Sequence, residues 1–248
     1  GVSSGSDALL MALMAHGIGP GDAVLLPAFT FTATAEVVLL VGARPVFVDV
    51  DADTFNVSPE SLNAAIDALL QEGRYIPRAI IAVDLYGLPA PYAALAEIAE
   101  RHDMLLVADA AQSFGAEQGE QRVGSLAPVS ATSFFPAKPL GGYGDGGALF
   151  TDDEELADRF RSIRAQGKGG EKYDIIRVGL NARLDTLQAA ILLAKLEVFD
   201  EELAARRKLA DAYDNRLGNV VNTPSRVEGS KSAWAQYTIQ VENRDEVA

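Results

Sequence analysis

Apolar residues in this chain fall into two repeating patterns. Short uninterrupted runs such as Ala23 to Leu26, Ala79 to Val83 and Met104 to Ala108 alternate with longer stretches in which apolar positions recur every three or four residues. Short runs bounded by turn residues read as buried strands, and the longer periodic stretches read as helices packed on them. The pattern predicts a helix over Ala8 to Ala15, a break at Gly17-Ile-Gly-Pro-Gly21 and a strand from Ala23 to Leu26. A helix across Ala33 to Val41 and a strand from Pro45 to Val50 follow. Ser58 as cap with Pro59 in the first helical position opens the next helix. Then come the β-branched run Ala79 to Val83, a helix Tyr92 to His102 and a strand Met104 to Ala108. Strands over 131–135 and 147–151 precede an amphipathic stretch from Asp152 to Gln166. From Arg183 a long helical pattern runs to Leu217 with a break near Phe199-Asp200, and Gln236 to Val241 reads as a further strand. Strands alternating with helices predict an α/β fold with a mainly parallel sheet covered on both faces. A helix that long commonly joins two domains, which divides the chain into a large domain over 1–185 and a linking helix with the start of a smaller one over 186–248.

Composition narrows the function. With 248 residues, 48% of them apolar, the chain can bury a substantial core. A net charge of −14 opposes binding to nucleic acid or an anionic membrane, so any anionic ligand must be held by local donors. The absence of cysteine excludes disulfides and thiolate metal sites and fits a reducing cytoplasm. No apolar run approaches the roughly 18 residues of a membrane span, and no signal-peptide pattern is present. Asp49, Asp51, Asp53 and Glu60 imitate a calcium loop, but Thr54 stands where that loop needs glycine and a strand precedes it. His16 and His102 fall at helix ends, where histidine is usually a surface or capping residue. The glycines from Gly141 to Gly147 are not followed by the Gly-Lys-Ser/Thr of a nucleotide-binding loop.

The run Ser133-Phe-Phe-Pro-Ala-Lys138-Pro-Leu-Gly-Gly-Tyr143-Gly-Asp-Gly-Gly147 places one lysine between a strand and a glycine-rich turn. Glycines let backbone approach a ligand closely, and a lysine in a walled pocket loses solvation and becomes an amine nucleophile. Asp109 stands at the C-terminal end of a strand, where open α/β sheets present ligand groups, with Gln112 three residues on. The turn Val2-Ser-Ser-Gly5-Ser6-Asp7 opens a helix whose first N–H groups suit a phosphate. Phe29 and Phe31 follow the first strand, and an aromatic there can stack on a planar ligand. Phosphate, ring nitrogen, ring face and aldehyde together describe pyridoxal 5′-phosphate (PLP), with Lys138 as its Schiff-base lysine. Each residue also has a plainer reading: Asp109 as a helix cap, Gln112 as a loop hydrogen bond, Phe31 as a core aromatic.

With Gly19-Pro-Gly-Asp22, Pro45-Val-Phe-Val-Asp49 and Gly179-Leu-Asn181-Ala-Arg183-Leu-Asp-Thr-Leu-Gln188 added in order, the chain resembles the DegT/DnrJ/EryC sugar aminotransferases, which are fold-type I PLP enzymes. The resemblance covers essentially the whole chain. It is strongest to members that aminate the 3-keto form of a UDP-N-acetylglucosamine uronic acid, through Ser133 to Gly141, Arg183 to Leu193 and Ser232-Ala-Trp234-Ala-Gln-Tyr237.

The resemblance implies a role for each matching position. Lys138 would hold the cofactor and shuttle the proton, Asp109 would keep the pyridine nitrogen protonated and Gln112 would contact the phenolic oxygen. Gly5, Ser6, Asp7 and Ser133 would bind phosphate, chiefly through backbone N–H at the turn, with the Asp7 carboxylate pointing away. Phe31 would stack on the ring. Asn181 would reach the phosphate of a neighbouring subunit in a homodimer with shared sites. Arg183 would read a carboxylate or phosphate, or brace the following helix, and Tyr143 and Tyr173 would contact sugar or phosphate. The implied reaction moves an amino group from L-glutamate to a nucleotide-linked keto sugar for polysaccharide (O-antigen) biosynthesis in the cytoplasm. Within that reading stand a 4-keto sugar aminotransferase, a PLP sugar dehydratase, which would carry histidine in place of Lys138, and a non-catalytic PLP-fold regulator. Members of the family carry a leading segment and a longer C-terminal portion, so the chain is expected to be trimmed at both ends.

Overall fold

A computed structural model describes residues 1–171 and 173–247. The elements in chain order are α1 (Gly5–Ala15), β1 (Asp22–Pro27), α2 (Ala33–Leu40), β2 (Arg44–Val48), α3 (Pro59–Glu72), β3 (Ile76–Val83), α4 (Tyr92–Arg101) and β4 (Leu105–Asp109). Then follow β5 (Glu117–Gln118), β6 (Gln121–Arg122), β7 (Val129–Ser133), β8 (Gly147–Phe150), α5 (Glu154–Ile163), α6 (Thr186–Leu196), α7 (Phe199–Leu217), β9 (Ser230–Lys231) and α8 (Arg244–Val247). Six strands form one sheet in the order β2-β1-β3-β4-β7-β8. All neighbours in it are parallel except the final β7–β8 pair. β5, β6 and β9 make a small antiparallel sheet beside it.

The period of two along each strand divides the core. Val24, Leu26, Ala79, Ile81 and Val107 face α1 and α5, while Ala23, Leu25, Ile80, Ala82 and Leu106 face α3 and α4. Strands buried on both faces read as unbroken apolar runs, and for that reason the sequence marks them so plainly. Ser58 caps α3 by accepting from Ser61 N–H, with Pro59 at the start and Gly73 in left-handed conformation at the end. His16 and His102 are the C-caps of α1 and α4. Asp51 Oδ1 accepts from the N–H of Asp53 and Thr54 and from the Thr54 hydroxyl, so the acidic run is a self-satisfied turn. Among the described residues no cluster suited to a metal ion occurs.

Two strand expectations need correction, and the expected helix break gains its cause. The strand expected to run to Phe135 ends at Ser133, because its antiparallel partner ends at Gly147 and Phe134 turns inward against Phe114. The expected break near Phe199-Asp200 is present and divides the long helical pattern into α6 and α7. Val198 leaves helical geometry (φ −112°, ψ 3°), which lets Phe199 drop into a cluster with Phe134, Leu140 and Leu192. No strand forms over Gln236 to Val241: Ala235 N–H and Gln236 N–H donate instead to the Tyr86 carbonyl, and Gln240 forms an isolated bridge with Asn222.

The carboxyl ends of β3 and β4 are joined by a buried acid. Asp84, 0% exposed, accepts from Ala90 N–H (2.8 Å), the Tyr92 hydroxyl (2.7 Å) and the Ser113 hydroxyl (2.5 Å), and its own N–H donates to the Asp109 carbonyl. It starts a tight turn in which Tyr86 has φ 59°. The Tyr86 N–H donates to Gln112 Oε1 at 2.7 Å.

Burial pushes the Asp84 carboxyl up to about 7, with its three donors opposing and Asp109 adding a little to the rise. Between the ordinary value of 3.8 and about 7 the native state therefore holds a proton that the unfolded chain has released. Stability contributed by this group falls as pH rises through that window. Asp84→Asn, which carries no such charge, should gain on wild type in urea unfolding as pH rises from about 4 to about 7, and the gap should level off above that. A constant gap would mean that Asp84 titrates normally.

A second prediction concerns packing at the start of α1. A Cβ on Gly147 would lie 2.5 Å from the Ser4 carbonyl carbon and oxygen, backbone atoms that cannot swing aside. Gly147→Ala should cost on the order of 1–3 kcal/mol in unfolding measurements. Gly170→Ala, with nothing near the added methyl, should be nearly neutral.

Candidate active site

Parallel strands β1, β3, β4 and β7 bring their carboxyl ends to one edge of the sheet, and the chain order reverses beside β1. A crevice at such a point is where open α/β sheets bind ligands. Here it is a cavity of about 370 Å³ that gathers Gly5, Ser6, Phe31, Asp109, Gln112, Ser133 and Lys138. A larger hollow of about 500 Å³ beside Arg122, Arg161 and Arg164 contains none of them.

One end of the cavity has the donors to cradle an anion. Ser4 caps α1 by accepting from Asp7 N–H at 3.0 Å. The N–H groups of the first turn have no partner inside the helix, and the helix dipole favours negative charge there. Gly5 lets this turn press against β7, since a Cβ on it would lie 2.8 Å from Ser133 Cβ. The Ser133 oxygen accepts from Phe135 N–H at 3.2 Å, so its own hydroxyl proton remains to be donated. The Asp7 carboxylate accepts from the Ser3 hydroxyl, and Asp7 is outside the cavity lining, as expected of an anion beside an anion site.

The other end holds the acid and the amine. Asp109, 7% exposed at the end of β4, accepts from the Thr34 hydroxyl at Oδ2 (2.9 Å) and from Ala111 N–H at Oδ1 (3.2 Å). Burial raises its pKa, and Thr34, Ala111 and the Lys138 charge pull it back. Burial lowers the pKa of Lys138, and Asp109 opposes that. Each charge thus partly offsets the burial that disfavours the charged form of the other. Gln112 gives its Oε1 to Tyr86 N–H, leaving the amide NH₂ as the end that can donate to a ligand. Phe31, 67% exposed just before α2, offers a free ring face. A flat anionic ligand with a protonated ring nitrogen and an electrophilic carbon matches this arrangement of cradle, acid, amine and aromatic.

Besides Asp7, four expected residues lie outside the cavity of this chain. Asn181 is exposed and bridges Ala165, and Arg183 is exposed and bridges Val2. Tyr143 is exposed on the glycine turn, its N–H bonded to Gln188 Oε1 and its ring 6.0 Å from Lys195 Nζ. Tyr173 is also exposed. Conversely, Thr30, Asp145, Ala235 and Gln236 line the cavity without having been singled out as site residues. Thr34 and Asp84 were missed as well. The only sequence signal for Thr34 was a hydroxyl residue at the start of a helix following the Phe29–Phe31 segment, which resembles ordinary capping.

Comparison with known proteins follows the same lines. The family model for the DegT/DnrJ/EryC1/StrS aminotransferase family matches residues 1–248. The UDP-2-acetamido-2-deoxy-3-oxo-D-glucuronate aminotransferase of Pseudomonas aeruginosa is 50% identical over 246 residues, covering 99% of this chain and 66% of that protein. A crystal structure of a DegT DnrJ EryC1 StrS aminotransferase from Brucella abortus superposes with a TM-score of 0.98 at 54% identity, covering 99% of this chain and 66% of that one. NtdA of Bacillus subtilis, solved with bound cofactor PMP, superposes with a TM-score of 0.88 at 31% identity, covering 99% of this chain and 55% of that one. The chain thus spans slightly under two thirds of the curated P. aeruginosa relative. With the match running from the first residue to the last, the chain belongs to the DegT/DnrJ/EryC1/StrS aminotransferase family.

Proposed function

We propose that this chain carries the active site of a PLP-dependent aminotransferase that converts a nucleotide-linked keto sugar to its amino sugar. The observation that carries the reading is the single cavity that gathers Lys138, Asp109, Gln112, Ser133 and the start of α1. The donor set fits PLP: a helix N-terminus with a serine hydroxyl for phosphate, a buried carboxylate for a ring N–H, an amide NH₂ for a phenolic oxygen and an exposed ring for stacking. When bound, that group supplies an electron sink for cleaving and forming bonds to hydrogen at carbon. The protein supplies the rest. The partly desolvated Lys138 amine carries the cofactor, takes a proton from the donor's α-carbon and returns one to the sugar carbon. Asp109 would hold the ring proton, and Gln112 with the start of α1 and Ser133 would hold the phenolic oxygen and the phosphate. Gln236 and Ala235 close one wall against water.

The substrate proposed is UDP-2-acetamido-2-deoxy-3-keto-glucuronate, aminated at the 3 position with L-glutamate as donor. Its support is the 50% identity with the P. aeruginosa enzyme named for that substrate. Arg183, a guanidinium suited to paired hydrogen bonds with a carboxylate, is assigned to the uronate group. Tyr143 and Tyr173 are assigned to sugar or phosphate. The role would lie in bacterial polysaccharide (O-antigen) synthesis in the cytoplasm, with residues 1–185 as the cofactor domain and 186–248 leading into a smaller one. Asn181 and Arg183 are exposed, and near them in sequence Val178, Leu187 and Leu193 are 81%, 79% and 66% exposed. An apolar surface beside two polar site candidates supports a homodimer in which each chain completes the other's site.

Full-length protein given L-glutamate and the 3-keto uronate should form 2-oxoglutarate and the 3-amino sugar, read by mass spectrometry against a panel of UDP- and dTDP-keto sugars. Lys138→Ala should form neither, and borohydride should fix PLP to the Lys138 peptide in wild type alone. Labelling elsewhere would remove Lys138 from its role. Preference for a 4-keto or uncharged sugar would overturn the substrate.

Shared sites predict complementation. Mixed Asn181→Ala and Lys138→Ala subunits should regain part of the activity that each lacks, because one of the two hybrid sites has both residues intact. No recovery after proven subunit exchange would place Asn181 outside the partner's site.

A further inference from the structure

We propose that Thr30 and Thr34 form a hydroxyl relay that holds Asp109 ionised toward the cavity, which makes Thr34 a positioning residue for the proton that Asp109 keeps on the bound ring. The relay itself rests on geometry alone. Its consequence for a ring nitrogen rests on the aminotransferase reading above.

Thr34 is 1% exposed in the first turn of α2. A threonine there usually caps its own helix or bonds a local carbonyl. This one donates to Asp109 Oδ2 at 2.9 Å, across 75 residues of sequence. Thr30 Oγ1, on the cavity wall, is 3.2 Å from Thr34 Oγ1. A hydroxyl has one proton, and an ionised carboxylate only accepts. With Thr34's proton given to Asp109, Thr30 must donate to Thr34, so both hydroxyls polarise in one direction. Ala111 N–H satisfies the other carboxylate oxygen. The lone pairs left over are those available to the cavity, where the exposed remainder of the side chain lies.

This arrangement works against strong opposition. Burial favours the neutral acid, and the buried Asp84 at the end of the neighbouring strand β3 shares its environment. Tyr92 beside Asp84 is neutral, its ionisation pushed well up by burial and by both acids. The counterweights are the Thr34 hydroxyl first, then Ala111 N–H, then the charge on Lys138. Lys138 is the reacting amine and cannot be a permanent cation. That leaves the hydroxyl relay and one backbone N–H as the fixed support for the anion. A neutral Asp109 could not hold a proton on a ring nitrogen with the same strength, so losing Thr34 should weaken the electron sink without touching the phosphate cradle.

The test is a carboxyl titration of Asp109 in the full-length, cofactor-free protein by ¹³C NMR, with Asp109→Asn to assign the signal. Thr34→Val keeps the shape and removes the hydroxyl. It should raise the midpoint by roughly 1–2 units, the equivalent of a lost hydrogen bond to a charged group. Thr34→Ser should restore it. Thr30→Val, on the partly exposed wall, should move it less and in the same direction, and keeps the test open if Thr34→Val does not fold. In loaded protein, Thr34→Val should lower kcat roughly tenfold or more with little change in the KM for glutamate, and Thr34→Ser should recover most of it. An unmoved titration in Thr34→Val, or a serine variant that behaves like valine, overturns the relay. Transamination with an unmoved titration sinks the relay alone. A shifted titration in a protein that binds no cofactor sustains the relay and sinks the aminotransferase reading.

Discussion

The start of α1 is wedged against the ends of β7 and β8, and the candidate site depends on that contact. Ser4 and Gly5 sit so close to Ser133 and Gly147 that a methyl group on Gly5 would fall 2.8 Å from Ser133 Cβ. Val2 clasps Gly147 by reciprocal backbone hydrogen bonds of 2.8 and 2.9 Å, which sets the depth of the wedge. The approach aims the free N–H groups of a helix at the hydroxyl that ends β7. Because β7 runs parallel to β4 with Ala131 opposite Asp109, the same register sets the distance from the anion cradle to the buried acid. The turn after Ser133 then carries Lys138 back over the gap. Two small residues therefore fix how the helix N-terminus, the buried acid and the amine sit relative to one another.

Around this frame the chemistry is organised by burial. The chain carries a net charge of −14, yet the lining of the cavity combines a lysine with a helix N-terminus. Burial lowers the proton affinity of Lys138 and raises that of Asp109. The two shifts run in opposite senses from one cause, the loss of water around a charged group, and each charge opposes the shift of the other. Asp84 lies one strand further on, sealed from solvent and satisfied by three donors. Its grip on Ser113 and on the turn at Tyr86 fixes the orientation of the Gln112 amide. Removing water from the site also makes each hydrogen bond count for more, so a single misplaced donor would be felt.

Much of this could be read in the sequence. Strands buried on both faces show up as apolar runs, and serine and proline announce the start of α3. Lys138, Asp109, Gln112 and Ser133 stood out because each combines a reactive or polar group with a strand end or glycine turn. The failures share a cause: they depend on partners distant in sequence. Gln236 to Val241 has the alternation of a strand but spends its first N–H groups on the Tyr86 carbonyl. Thr34 looks like a cap until Asp109, 75 residues away, arrives beside it. Asp84 follows an apolar run just as Asp109 does, yet its three donors enclose it completely while Asp109 keeps an opening to the cavity.

The position of the outlying residues completes the argument. Asn181 and Arg183 sit on a segment whose backbone is pinned at both places, by Ala165 and by Val2, so neither can swing into its own chain's cavity without breaking those bridges. Their side chains are exposed, and the helix that follows, α6, buries only Leu192 while Leu187 and Leu193 stay open to solvent. A helix with so much apolar surface uncovered is not at its lowest free energy alone in water. Covering it with a second copy is what the proposed homodimer requires. In that proposal the burial that stabilises the dimer would also present the Arg183 guanidinium to an anionic ligand. Assembly and substrate binding would then draw on the same surface.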